Sequence, residues 1–279
     1  LCLQLAGQAG TKGAAFVQSH KPDQLSDEQF QPPTRQHWFG TDVHGRDLFS
    51  RVLYGAQISL LVGIVGAGVS LVIGVLWGSI AGYTGGRTDS LMMRFVDILY
   101  SLPSIIFVIV LITTLEGLLK QWLVAIGSDS LARFARLLFL FVGLGAVSWL
   151  TMARIVRGQV LSLRSCAFVE ASRALGAGPL RILSRHIVPN IFGVVLVYLT
   201  LTVPAIILYE SFLSYLGIGI QPPMASWGSL IAEGADQINP IRIYWWLIAF
   251  PGSVLVSTLL AVNFLGGGLR DAWDVQDGG

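Results

Sequence analysis

Few residues in this 279-residue chain are equipped for chemistry. A phosphate-binding loop of the form GxxxxGK[ST] is absent. The nearest imitation, GQAGTKG at Gly7–Gly13, puts Thr11 ahead of Lys12 and fails the spacing. HExxH, CxxC and GxSxG are absent as well, so hydrolysis of ATP by a P-loop and the common zinc and serine chemistries have no residues to run on. His37, Asp42, His44 and Asp47 crowd one stretch, but without a regular ligand spacing. They read as partners within a compact loop, and no metal site is expected. Glu210 is the one carboxylate set in an apolar stretch, between Pro204 and Gly217. An ionisable group in a membrane span marks function by default, so Glu210 and Pro204 are candidates for a translocation pathway or gate. The alternative is a structural role near the outer surface. The last notable group is basic: Arg154, Arg157, Arg164, Arg173, Arg181 and Arg185 against one acid, Glu170.

The elements that position these residues are set by composition. Hydrophobic residues make up 53% of the chain and charged residues 12%, about half the usual share in a soluble domain. Five apolar stretches are free of charge: Val52–Gly86 (35 residues), Ile98–Leu115 (18), Leu137–Ala153 (17), Ile187–Tyr209 (23) and Ile243–Leu269 (27). A bilayer core needs about 20 apolar residues as helix. An all-α, polytopic membrane bundle is therefore expected, with spans at about 58–83, 98–116, 137–154, 190–217 and 244–269. A soluble enzyme, a disulfide scaffold and a disordered chain are excluded. The net charge of +2 argues against a nucleic-acid partner, and membrane lipid is the expected surroundings.

Short loops rich in Lys and Arg stay cytoplasmic. The arginine-rich 159–189 loop is thereby inside, and alternation puts the Tyr83–Asp97 loop and the C-terminus inside too. The Glu116–Arg136 and Gly219–Arg242 connections and the segment before Gln57 fall outside. Cys2 and Cys166 then lie on opposite sides and cannot pair. An outside N-terminal segment, 1–50, with nothing to export it implies a sixth span before Leu1; a native five-span protein is the alternative.

Several local features refine the map. Residues 41–55 read as a short amphipathic helix at the membrane surface, with Leu48, Val52 and Leu53 on one side. Gly66, Ser70, Gly74, Gly78 and Gly82 recur every four residues and form a ridge for close helix packing. The second span begins near Pro103. Residues 117–136, with Trp122 beside Lys120, read as an interfacial helix. Pro204 should kink the fourth span, Trp245 and Trp246 open the fifth as an aromatic belt, and Arg94 and Asp97 pair locally. In the inside loop, Phe168–Leu175 forms a short helix that Gly176 and Gly178 break. Pro179 starts a second helix at a permitted first-turn position, and Pro189 ends it. Such a basic, partly apolar helix–turn–helix either docks into a groove on a soluble partner or serves as an elbow between two spans.

This loop resembles the EAA loop of ABC transporter inner-membrane permeases of the type I importer class, whose pattern is EAA, three residues, Gly, nine residues, Ile, any residue, Leu-Pro. Glu170, Ala171, Gly176 and Pro189 match in register. Ser172 replaces the second Ala, His186 stands where Ile is usual, and Val188 replaces Leu. HWFGTDVHGRDL at His37–Leu48, Tyr83–Pro103, RIVRGQVL at Arg154–Leu161, Glu210–Trp227 and Trp245–Arg270 are similar to the second permease of the dipeptide/oligopeptide/nickel branch, and the resemblance covers about 37–274. Departures are the missing first span, a long 116–136 connection, Gly267 where Asp is usual and Val275 where Pro is usual.

The resemblance implies an ABC transmembrane domain over 51–274 in a multi-pass inner-membrane protein. The implied role is half of the translocation pathway of an ATP-driven, binding-protein-dependent importer for peptides or similar small solutes. A second homologous permease, two cytoplasmic ATP-binding subunits and a substrate-binding protein would be its partners, with Gln221–Trp227 toward the last. Glu170, Ala171, Ser172, Gly176 and Pro189 would couple to the ATPase, and this chain would carry no cofactor and no catalysis of its own. The competing readings are a secondary transporter, which predicts repeats and several intramembrane charges, and a non-transporting scaffold.

Overall fold

In a computed structural model, backbone is described for residues 22–125, 129–222, 224–238 and 240–274; side chains at 115, 116, 118–142, 270 and 272–274 lie outside the description. Among the described residues the regular elements are helices, with one isolated bridge between Thr41 and Asp47. We number the helices α1 (Leu48–Thr84), α2 (Gly86–Ser101), α3 (Ser104–Ala125), α4 (Asp129–Leu163), α5 (Ala167–Ala174), α6 (Pro179–Tyr215), α7 (Trp227–Ala235) and α8 (Trp246–Asp274).

Three described helices are long and apolar enough to cross a membrane: Leu48–Thr84, Pro179–Tyr215 and Trp246–Leu269. A fourth span arises if the bent pair Gly86–Ser101 and Ser104–Thr114 counts as one. The expected 137–154 stretch lies in α4, many of whose side chains are outside the description.

The chain divides into two compact units, one of residues 1–61 and 210–259 and the other of 62–209 and 260–279; α1, α6 and α8 contribute residues to both. In the first unit an N-terminal loop is built onto the start of α1, α7 and the start of α8. Leu48, Val52, Trp227, Leu230 and Leu247 are buried there. Phe30 stacks on Tyr244 at 4.2 Å between ring centroids and Phe39 on Phe250 at 4.1 Å. Gly40 has φ +78°, and a side chain there would run within 2.5 Å of the Gln31 carbonyl, so only glycine fits this turn.

In the second unit, α1 lies close against α4. A Cβ at Gly74 would come within 2.6 Å of Met152, at Gly78 within 2.5 Å of the Ala153 carbonyl, and at Gly82 within 2.9 Å of the Arg157 carbonyl. The Gly66 carbonyl faces Gly145, and Ser70 is fully buried. Val96 of α2 packs with Trp149, Leu150 and Ala153 of α4. A second cluster joins Met152, Val156 and Val160 of α4 to Val169, Ile182, Ile187 and Ile191.

Several expectations are corrected. No separate surface helix forms at 41–55: Thr41–Asp47 is a bridged turn, and α1 starts at Leu48 and runs unbroken to Thr84. Its polar turn is buried rather than solvated, with Arg51 only 2% exposed, because the neighbouring carboxylates supply partners. The stretch at 98–116 is no single straight rod. Leu102 is extended, as a residue before proline prefers, and the chain bends by 91° there. The interfacial helix expected at 117–136 is instead the end of α3, to Ala125, and the start of α4, from Asp129. Trp246 is 7% exposed and donates its Nε1–H to the Thr41 carbonyl, so Trp245 alone of that pair is exposed. Asp97 pairs with Arg154 of α4 at 2.7 Å, not with Arg94.

Candidate functional site

The arginine-rich loop follows α4. Cys166, in extended conformation, precedes α5, and Glu170 stands in the first turn with Arg173 in the last, each favourable to the helix dipole. The end of α5 is closed by backbone bonds. Gly176 N–H donates to the Arg173 carbonyl and Ala177 N–H to the Ser172 carbonyl, both at 3.0 Å. This is the Schellman arrangement, which needs a left-handed residue at the turn. Gly176 supplies it with φ +82°, and no atom lies within 4 Å of a Cβ placed there.

The two sides of α5 differ. Val169 is fully buried among Val156, Val160, Ile182 and Ile187, so the helix is pinned to α4 and α6. Glu170, Ala171, Ala174 and Gly176 are exposed, and Ser172 is half-buried with its hydroxyl donating to the Phe168 carbonyl. Leu175 is 89% exposed and Leu180, on the next turn, 80%. Isolated exposed leucines need no explanation, but two on the rim of a short rigid loop present an apolar face.

Pro189 does not end the helix that Pro179 starts. The backbone passes through a wider π-helical turn at Leu183–Ile187, where the Val188 N–H reaches back to the Leu183 carbonyl, and continues to Tyr215. A π turn shifts the hydrogen-bond register by one residue, which absorbs the donor that proline lacks. The Asn190 side-chain amide donates to the His186 carbonyl at 2.5 Å. Pro189 itself is exposed.

Behind the loop, Asp89 of α2 grips Arg157 of α4 in a bidentate pair, with Nε to Oδ1 at 2.5 Å and Nη2 to Oδ2 at 2.6 Å. The Asp89 hydrogen bond and charge raise the Arg157 pKa further above its already high ordinary value, despite partial desolvation. Arg164 donates to the Gly82 carbonyl at 3.1 Å, and Arg173 lies over the Tyr83 ring at 5.8 Å. Arg157, Arg164 and Arg173 thus hold the loop's stem to α1 and α2. Sequence reading missed this, since each partner is distant along the chain. Bidentate pairing of Arg with carboxylate is its only general signature.

Of the other candidates, Glu210 belongs to the first unit and Pro204 to the second. Glu210 is fully buried. Its Oε2 accepts from Ser59 Oγ at 3.0 Å and its Oε1 from Ser214 Oγ at 2.7 Å; Ser214 Oγ in turn accepts the Ile220 N–H at 2.9 Å. The same Ser59 hydroxyl accepts from the Trp227 N–H at 3.3 Å, at the start of α7. Glu210 is thus enclosed by hydroxyls that tie α1, α6 and the 217–227 turn. Pro204 is also buried, within α6.

His37, Asp42, His44 and Asp47 do form a hydrogen-bonded loop. Asp42 accepts from the backbone N–H of His44 and Arg46 and from the Arg46 and Arg51 side chains, at 2.7–2.9 Å. Asp47 accepts from the Ser50 N–H at 2.8 Å and faces His37 Nδ1 at 2.9 Å. Arg51 reaches on to Glu233 of α7, with Nη2 to Oε1 at 2.9 Å. Among the described residues no three His, Cys, Asp or Glu groups converge on a metal position.

Long apolar helices joined by an outwardly presented basic loop are the parts of a polytopic membrane protein. Residues 74–274 match the family described as "Binding-protein-dependent transport system inner membrane component". The chain is 48% identical over 242 residues to the oligopeptide transport system permease protein OppC of Haemophilus influenzae, covering 86% of this chain and 71% of that one. It is 45% identical over 247 residues to the dipeptide transport system permease protein DppC of Bacillus subtilis, covering 88% and 71%. It is 48% identical to the OppC of Escherichia coli over 86% of this chain and 73% of that one. Among solved structures, a chain of the inward-facing MetNI methionine ABC transporter superposes with a TM-score of 0.59 at 19% identity, covering 79% of this chain and 94% of that one. The chain belongs to the family of binding-protein-dependent transport system inner membrane components. It is a multi-pass inner-membrane permease subunit of an ABC importer, a family that works with ATP-binding subunits and a substrate-binding protein.

Proposed function

We propose that the chain forms half of an ATP-driven pathway for short peptides, paired with a second, homologous permease subunit. The peptide assignment is supported by the oligopeptide and dipeptide permeases it resembles at 44–48% identity. In this reading the 159–189 loop is cytoplasmic, and α5 is the coupling helix that seats in a cleft of an ATP-binding subunit. ATP hydrolysis takes place on two such partners, and this chain needs no cofactor. The observation that carries the reading is the two-sided α5. Val169 anchors it to α4 and α6, while Glu170, Ala171 and Leu175 face outward. A helix fixed at its base and apolar at its rim transmits a rigid-body push, which a floppy elbow would dissipate. Glu170 sits at the positive end of the helix dipole, Ser172 and Gly176 shape its end, and Pro189 stands exposed within α6 just past the π turn.

The test is substitution at Gly176. A β-branched or bulky residue at φ +82° costs roughly 1–2 kcal/mol and unwinds the C-cap. Gly176→Leu should lower peptide uptake per ATP hydrolysed at least tenfold in reconstituted vesicles. Gly176→Asn, which tolerates the left-handed conformation, should keep most of it. Normal uptake by Gly176→Leu would sink the coupling assignment.

A further inference from the structure

The second unit carries an open cavity of about 440 Å³ that plays no part in the loop or in the Glu210 cluster. Its volume falls in the range of small-molecule sites. Three of its walls are phenols, Tyr100, Tyr198 and Tyr209, and four more carry hydroxyls, Ser104, Ser148, Thr151 and Thr202. Tyr198, Thr202 and Tyr209 follow one another at four and seven residues, so they share a face of α6. Ser148 and Thr151 are three apart on α4.

The cavity's hydroxyls keep hydrogen-bonding capacity to spare. Ser148 and Thr202 donate to carbonyls of their own helices, at 3.1 Å and 2.7 Å, which leaves their lone pairs free to accept. Among the described residues, none of the three phenol hydroxyls has a hydrogen-bond partner in the protein. At membrane depth an unmet polar group costs several kcal/mol. Such a ring of donors persists there only where water or a polar solute reaches it. No lining residue is charged. The nearest charges are already paired: Arg154 lies over the Tyr100 ring at 4.0 Å and donates to Asp97 at 2.7 Å.

We propose that this cavity is a water-filled contact site for the transported solute, in which Tyr100, Tyr198 and Tyr209 hydrogen-bond the amides of a short peptide. The inference rests on the peptide reading above and adds the site. Amides can both accept from and donate to phenols, and apolar side chains pack on the rings and leucines, while water in the cavity keeps the peptide's charged termini hydrated.

The experiment uses the whole complex, with its partner permease, ATP-binding subunits and binding protein, in vesicles, with Cys2 and Cys166 replaced by Ala. Thr202→Cys should react with a membrane-impermeant maleimide, and the tripeptide Ala-Phe-Ala should slow that reaction at least fivefold. The double variant Tyr198→Phe with Tyr209→Phe should raise the KM for Ala-Phe-Ala at least fivefold while leaving maximal rate less affected. Ala205→Trp, which fills the cavity, should abolish uptake; Leu208→Trp, on α6 but outside the lining, should not. An unreactive Thr202→Cys, or uptake that survives Ala205→Trp, overturns the site. If the parent complex takes up no peptide, the peptide reading fails and the ligand class with it; peptide uptake without cavity sensitivity sinks the site alone.

Discussion

Glu210 shows how little a residue's type says about its surroundings. From the sequence it is an ionisable group in an apolar run and a candidate for the pathway. In the fold its two oxygens are taken by Ser59 and Ser214, and it is absent from the lining of the 440 Å³ cavity. A carboxyl that satisfies buried hydroxyls acts by holding elements together. Glu210→Leu leaves these hydroxyls without an acceptor, at a cost of about 1–3 kcal/mol each. Glu210→Gln keeps one carbonyl acceptor. Thermal unfolding in detergent should therefore rank the parent first, Glu210→Gln next and Glu210→Leu last. Equal loss for both variants would instead assign the charge itself a role. The loop around Asp42 teaches the converse. Its residues were legible as hydrogen-bonding partners, because Asp in tight turns accepts from nearby backbone N–H groups. That Arg51 reaches Glu233 was not legible, since 182 residues separate them.

At the scale of elements, the spacing of small residues along α1 was readable, and the helix they meet was not. Four-residue periodicity states that a ridge exists. It takes the packed structure to show Gly74, Gly78 and Gly82 against α4. Gly78→Ala would push a methyl group to 2.5 Å from the Ala153 carbonyl and 2.8 Å from Val156 Cβ. Overpacking of this kind costs about 1–3 kcal/mol, so a lowered unfolding temperature is expected. Gly68→Ala, on the same helix with no atom within 4 Å, serves as the comparison and should be neutral or slightly stabilising. Proline was a poorer guide. Pro103 does mark a break, because Leu102 before it is extended. Pro189 does not, because the π turn ahead of it re-registers the backbone. A local rule held where nothing opposed it and failed where helix packing of Ile187 and Ile191 rewarded continuation.

For the whole molecule, orientation follows from charge. In the topology we propose, six arginines against Glu170 keep the α5 loop on the cytoplasmic side, and alternation puts α7 on the other. In a chain with Cys2 and Cys166 replaced by Ala, Ser172→Cys should label with an impermeant maleimide only from the cytoplasmic face, and Asp236→Cys only from the opposite one. Labelling of both from one face would overturn the topology. Orientation and coupling are properties of the assembled complex, since the push on α5 has meaning only when an ATP-binding subunit receives it.

The sequence by itself determined the class of protein and, of the five expected spans, the three that α1, α6 and α8 carry. These rest on local signals: runs of uncharged residues, glycine and proline at fixed offsets, and a basic bias. The tertiary structure decided which face of α5 is anchored and which is presented. It also decided that Glu210 is enclosed while Tyr100, Tyr198 and Tyr209 share an open cavity, and that Asp97 pairs with Arg154. The physical reason is the same in each case. A side chain's hydrogen-bond partners and solvent depend on residues tens to hundreds of positions away, and no local periodicity encodes them.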